Sequence, residues 1–269
     1  MLRSRILVAA IGIPVGLVCV IYGGYFMLGL AVILTLLGMH EYYTLVRPYR
    51  PNPLVGHLAA MAVVVGAFFF GQTGILAGLG ALVILTFFWS LRGELGAHLV
   101  GRMAVTQFGA LWVAVGFAYL LLLRGLNHGM ALVILVMACT MLSDTFAYFV
   151  GRAVGSHPMA PRISPKKSVE GAFGGLVGAV VAALVVKLYA PWLSARDAVI
   201  LGLIIGIVGQ WGDLFESVVK RDFGVKDSGR LLRGHGGVLD RFDSMLFAGF
   251  VAYWATVVIL GDVVTVTGG

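Results

Sequence analysis

Long apolar runs separated by short polar stretches dominate the chain. Nine runs stand out, at about 5–23, 25–46, 54–71, 74–91, 103–124, 128–151, 169–192, 196–219 and 242–262. Each approaches the 20 or so apolar residues that a helix needs to cross a bilayer. Gly and Pro punctuate most of the breaks: Gly23-Gly24, Pro48 to Pro53, Gly71 to Gly74, Gly125 to Gly129 and the turn at Pro191. Two longer polar stretches, 152–168 and 220–241, interrupt the second half. The pattern predicts an all-α, polytopic integral membrane protein with about nine transmembrane helices. Pro14 and the Gly23-Gly24 pair allow a kinked or re-entrant first pair of helices. The basic N-terminus followed by an apolar run is signal-like. The run outlasts the usual 7–15-residue core of a signal peptide, so it is read as a retained first helix.

Composition agrees. Hydrophobic residues make up 60% of the chain and charged residues 12%, with a mean hydropathy of +0.99. Soluble domains carry about 25% charge. A polar surface of the required size cannot be made, whereas lipid can solvate an apolar exterior. Nine crossings leave little chain for anything else, so residues 1–269 are read as a single membrane domain. The net charge of +7 reflects lysines and arginines on one side of the membrane. On the predicted layout only Arg124, Lys187 and Arg196 of the 19 basic residues fall on the opposite side, which makes the rich side cytoplasmic. The N-terminus is then inside and the C-terminus outside. No nucleic-acid module is present, so nucleic acid is not an expected partner. Cys19 and Cys139 sit in apolar runs and read as small buried hydrophobes. Glycines within spans, as in GAFGGLVGA at 171–179, read as close-packing positions between helices.

Acidic residues are scarce, at 12, so their positions carry information. Asp213 and Glu216 lie inside the eighth run, where an ionised side chain costs about 3 kcal/mol on insertion scales. Asp213, Glu216, Ser217, Lys220 and Arg221 share one helical face by spacing, a polar stripe that resembles a pocket wall. The plain alternative is a set of salt bridges within one helix. The following stretch, 220–244, mixes Asp222, Asp227, Asp240 and Asp243 with basic residues and His235. Its Gly234-His235-Gly236-Gly237 segment would let backbone N–H groups approach an anion. Asp213 and Asp240 end two adjacent spans on one side of the membrane, and such hard oxygen ligands suit Mg²⁺ with substrate phosphates. A second cluster on the same side holds Asp144, Tyr148, Gly151 and the 161–171 loop. There Lys166 and Lys167 precede a helix capped by Ser168, with Glu170 in its first turn, a fair anion site. An ordinary basic cytoplasmic loop is the alternative. Glu41 is read as an interface residue. Metal, phosphate and membrane together point to an enzyme acting on a phospholipid headgroup. The P-loop signature is absent.

The residues Ser217, Lys220-Arg221, Lys226-Asp227, Gly229, His235-Gly236-Gly237 and Asp240-Arg241-Phe242-Asp243 resemble the signature of the phosphatidate cytidylyltransferase family. GDLFES at 212–217, SDTFAYFVGRAVG at 143–155 and ISPKKSVEG at 163–171 resemble further parts of the family pattern. The resemblance covers about residues 140–245. It leaves 1–127 as helices without a motif and puts the catalytic helices and loops in 128–269. One departure is Arg233, where the family has Pro or Gly two residues before the His.

The resemblance implies transfer of a cytidylyl group from CTP to phosphatidic acid, giving CDP-diacylglycerol and pyrophosphate. Asp213, Asp240, Lys220, Arg221 and Asp243 would then be catalytic. Lys166, Lys167, Ser168, Glu170, Ser217, Lys226, Asp227, His235, Gly236, Gly237 and Arg241 would bind substrate. Mg²⁺ would sit on Asp213 and Asp240, with Asp144 and Asp243 as second choices and a monovalent cation as the candidate second ion. The expected setting is a bacterial inner membrane, with the site facing the cytoplasm and a homodimer as the candidate assembly. A CTP-dependent polyprenol or phytol kinase is the nearest rival, and the long signature favours the cytidylyltransferase. A transporter would place its charges nearer the midplane and often shows inverted repeats, which this chain lacks.

Overall fold

The computed structural model describes residues 2–91, 99–229 and 236–261, and for residues 2–9 and 11 the backbone alone. The helices are α1 (Leu2–Tyr22), α2 (Gly24–Leu45), α3 (Pro53–Ser90), α4 (Leu99–Gly109), α5 (Val115–Arg124), α6 (Gly129–Val154), α7 (Val169–Leu188), α8 (Ala195–Asp222) and α9 (Leu239–Ile259). A π-helical turn, Ala110–Ala114, joins α4 to α5 into one membrane-length segment. Seven such segments among the described residues are long and apolar enough to span a bilayer. The chain is thus an integral membrane protein of almost wholly helical structure.

Helix α3 has 38 residues, about twice what one crossing needs at 1.5 Å per residue. It reverses at Gly71, whose φ of 61° and ψ of −139° only glycine adopts readily. Its arms, 53–70 and 72–90, then pack at glycines. A Cβ at Gly66 would lie 2.8 Å from the carbonyl oxygen of Gly74, and one at Gly78 would lie 2.8 Å from the backbone of Val63. The break expected between 71 and 74 is therefore a tight reversal. With its arms counted separately and α1 included, nine helical segments result among the described residues.

The chain divides into two compact units. The first holds Met1–Leu122 and Val225–Arg241. Its core surrounds Met39 and Tyr42 of α2, with Val63 of α3 and Val113 of the π-helical turn. Tyr43 donates its hydroxyl to the Thr106 carbonyl at 2.8 Å and Tyr42 to that of Val105 at 3.0 Å, tying α2 to α4. The α9 N-terminus also belongs to this unit. Glu41, read as an interface residue, is 3% exposed, and its carboxylate accepts from Val238 N at 2.9 Å and Leu239 N at 3.0 Å. A side chain from α2 thereby caps α9, which explains why α9 begins three residues before the expected 242.

The second unit holds Leu123–Gly224 and Phe242–Gly268. Its helices α6, α7 and α8 cross at small residues: Gly174 against Val150, Gly178 against Phe146, and Gly202 against Ala183. The packing reading of the glycines in 171–179 holds at these contacts. Between α6 and α7 lies an antiparallel hairpin, β1 (Pro158–Ala160) and β2 (Ser164–Ser168), pairing Pro158 with Ser168 and Ala160 with Ser164. The sequence reading had only a loop there. Helix α7 stops at Leu188, short of the expected 192, because Tyr189, Ala190 and Leu193 close a run of tight turns before α8.

Candidate active site

A cavity of about 530 Å³ opens within the second unit. Helix α6 lines it with Asp144, Tyr148 and Arg152, strand β2 with Lys166 and Lys167, and helix α8 with Gln210 and Asp213. Ser168 closes the edge by capping α7, its Oγ accepting from Gly171 N at 3.1 Å. That cap can reach the wall because α6 and α7 touch at glycines: a Cβ at Gly171 would lie 2.8 Å from the Ala147 carbonyl oxygen, and one at Gly151 3.1 Å from Ser168 Oγ. The cavity therefore receives a helix N-terminus and two lysines on one side, which together favour an anion. Across from them lies Asp213, whose Oδ2 pairs with Lys167 Nζ at 2.5 Å, with both side chains about 30% exposed.

The hairpin carrying the lysines is pinned at both ends. At its base, Glu170 accepts from Ser156 N at 3.1 Å and His157 N at 3.3 Å and meets His157 Nδ1 at 2.5 Å. At its tip, Arg221 Nε donates to the Ile163 carbonyl at 3.2 Å. Glu170 and Arg221 thus act on the hairpin backbone in this structure. Gln210 fixes the floor, donating to the Ala172 carbonyl at 3.0 Å and to Ser143 Oγ at 3.4 Å. The sequence reading missed Gln210. The polar stripe of α8 began at Asp213, yet Gln210 lies one turn earlier on the same face.

Behind Asp213 the stripe continues inward. Glu216 is 1% exposed and accepts from Lys220 Nζ at 2.6 Å. The salt-bridge alternative therefore describes Glu216 and Lys220, whereas Asp213 reaches across to β2. Asp243 lies within electrostatic reach of Asp213, Glu216 and Lys220. Its Oδ1 also accepts from Ser244 N at 2.6 Å. Helices α8 and α9 come this close at Gly212, where a Cβ would lie 2.6 Å from the Asp243 carbonyl oxygen. Ser217 is half-buried on the same helix.

Lys226, Asp227, Gly229, Gly236, Gly237, Asp240 and Arg241 belong to the first unit. Asp240 Oδ2 accepts from Gly237 N at 2.7 Å and from both the N and Oγ of Ser228 at 2.9 Å. Gly236 has a φ of +83°, and a Cβ there would lie 2.6 Å from Asp240 Oδ2. Gly237 packs against Ser228 Oγ and the Glu41 carboxylate, so neither glycine tolerates a side chain. Lys226, Asp227 and Arg241 are exposed. His235, with Arg230 and Arg233, lies outside the described residues.

Among the described residues no three His, Cys, Asp or Glu side chains form a metal cage. Magnesium does not need one, because it binds through one or two carboxylates and completes its octahedron with water and substrate phosphates. Asp144 and Asp213 both line the cavity and offer hard oxygens beside two lysines. This donor set fits Mg²⁺ accompanied by a phosphate-bearing substrate, and no zinc-type Cys or His set is present among the described residues.

Residues 3–259 match the cytidylyltransferase family. The chain is similar to a phosphatidate cytidylyltransferase of Mycobacterium bovis, 34% identical over 96% of this chain and 89% of that protein. One from Staphylococcus epidermidis is 31% identical over 91% of this chain and 95% of its own length. One from Brucella abortus is 40% identical over 67% and 68% respectively.

Proposed function

The chain belongs to the cytidylyltransferase family, and from that membership we propose that it transfers the cytidylyl group of CTP to phosphatidic acid, releasing pyrophosphate and leaving CDP-diacylglycerol in the membrane. The supporting observation is the cavity that sets Lys166, Lys167 and the capped N-terminus of α7 beside Asp213. An anionic substrate meets fixed positive charge there, with a carboxylate available for a metal ion.

The lipid phosphate is the nucleophile and the α-phosphorus of CTP is the centre attacked. One P–O bond forms to the lipid phosphate, and the bond to pyrophosphate breaks. A phosphate monoester is already ionised near neutral pH, so the protein supplies alignment and charge stabilisation rather than a strong base. Lys166 and Lys167 hold phosphate oxygens, and the pinned hairpin keeps them in place. Lys220, Arg221 and Arg241 are further cationic candidates for the triphosphate or the lipid phosphate, with Ser217, Lys226, Asp227 and His235 as binding candidates on the signature. Mg²⁺, when bound, would neutralise charge developing on the transferring phosphate. Asp213 is the ligand best supported by the cavity, with Asp144 and Asp243 as further donors, and Asp240 remains an expectation from the sequence. A monovalent second ion belongs to the same proposal.

The proposed setting is a bacterial inner membrane, with a cytoplasmic site and a homodimeric assembly. The direct test uses purified protein, phosphatidate and CTP labelled at either the α or the γ phosphate. The α label should enter lipid, and chelation of Mg²⁺ should stop its incorporation. Lipid carrying the γ label instead would identify a kinase and overturn the reading.

A further inference from the structure

A second cavity, of about 480 Å³, lies wholly within the first unit and shares no lining residue with the first. Arg50 and Asn52 line it from the α2–α3 connection, Pro53 and Trp89 from the start and end of α3, and Arg102 from α4. Because α3 reverses at Gly71, its start and its end return to one side of the membrane. The cavity therefore sits at a membrane face by construction.

We propose that this cavity binds the phosphate group of an anionic phospholipid. Three observations converge on that ligand. First, Arg50 and Arg102 bring two guanidinium groups to one cavity, the side chain best suited to bidentate phosphate contact. Second, Asn52 presents an unused donor. Its Oδ1 accepts from Val55 N at 3.2 Å as the cap of α3, which fixes the amide orientation. Its Nδ2 is buried and meets no acceptor among the described residues. A buried donor left without an acceptor is unfavourable, and a ligand oxygen would satisfy it. Third, the surroundings are those of a lipid. Trp89 lines the cavity at a helix end, where tryptophan marks the headgroup level. Leu54, Phe88 and Leu91 beside it are more than half exposed, as befits side chains that meet acyl chains.

The loop is rigid enough to hold such a ligand. Asn52 N donates to Thr106 Oγ1 at 2.9 Å, and Thr106 Oγ1 donates to the Arg102 carbonyl at 2.8 Å, so both arginine-bearing segments are tied together. Arg50 is held in the left-handed region, at φ 51°. On the expected topology this is the basic, cytoplasmic face, whose leaflet is the anionic one.

The test measures lipid rather than turnover, so it stands apart from the proposed reaction. The full chain is purified in neutral detergent, and binding of phosphatidylglycerol is followed by native mass spectrometry, with phosphatidylcholine as the neutral control. Arg50→Asn with Arg102→Gln removes both cations, and Asn tolerates the left-handed backbone at position 50. Asn52→Asp keeps the cap on Val55 N while replacing the buried donor with a negative oxygen. Each variant should lose about tenfold or more in phosphatidylglycerol affinity, with phosphatidylcholine unchanged. Glycerol 3-phosphate at millimolar concentration should not displace the lipid. Equal phosphatidylglycerol binding by wild type and the Asn52→Asp variant would overturn the proposal. So would displacement by glycerol 3-phosphate, which would make the cavity a site for soluble anions.

Discussion

Lys167 and Asp213 form the contact on which the proposed chemistry turns. A pair about one-third exposed contributes at most about 1 kcal/mol to stability. Its removal should therefore scarcely move the unfolding temperature. Lys167→Met should nevertheless lower kcat/KM for CTP about a hundredfold, because the lysine meets phosphate as well as Asp213. The exchange Lys167→Asp with Asp213→Lys separates the two roles. A purely structural pair is restored by the exchange, whereas a pair that meets substrate on one side is not. Steady-state kinetics of the exchanged protein should match the single variants; recovery of wild-type turnover would return the pair to a structural role. Asp240 behaves differently, since one of its oxygens takes three hydrogen bonds. Bonds to a charged acceptor contribute about 1.5–3 kcal/mol each. Asp240→Asn should thus lower the unfolding temperature by several degrees together with turnover, while Asp213→Asn lowers turnover alone. Thermal unfolding and activity measured on the same preparations would expose the difference. The charge pattern of the sequence marked both aspartates but could not separate these roles, because the partners of Asp240 are mostly backbone groups.

At the scale of elements, legibility follows the range of the interaction that sets each boundary. The reversal inside α3 was readable because glycine is a local requirement at Gly71. The start of α9 was not, because its cap is a carboxylate 197 residues earlier in the chain. The hairpin β1–β2 escaped notice for another reason. Ser-Pro-Lys-Lys-Ser has little strand propensity, and its shape is held by Glu170 and Arg221 from neighbouring helices. The α9 cap yields a prediction. Glu41→Ala would leave two buried N–H groups without their acceptor and should cost about 2–5 kcal/mol. Glu41→Gln keeps one acceptor oxygen and should lie between the two. The order wild type, Gln, Ala should appear in both thermal unfolding and activity, since the capped turn also carries Asp240. Equal stability of the Ala and wild-type proteins would remove Glu41 from this role.

For the whole molecule, the two units are interleaved in sequence, the chain passing between them near residues 122, 224 and 241. The half without a motif is thus joined to the signature through Glu41 and the α9 N-terminus, a link that the apolar pattern alone could not show. That pattern did carry the membrane-length helices, and its basic residues predict a direction. The direction can be tested by thiol accessibility. Cys139 is buried and Cys19 lies within α1, so both can be replaced by Ala to give a background without thiols. Nine crossings with an inside N-terminus put the α2–α3 and α6–α7 connections in the cytoplasm and the α7–α8 connection outside. In intact cells a membrane-impermeant maleimide should then label Tyr189→Cys and Ala195→Cys. Tyr49→Cys and Ser156→Cys should react only after permeabilisation. All four positions are exposed, so reactivity reports sidedness rather than burial. The α6–α7 connection carries Lys166 and Lys167, and its side of the membrane is the side on which CTP must arrive. Labelling of Ser156→Cys from outside would place the cavity away from the nucleotide supply and would overturn the proposed orientation.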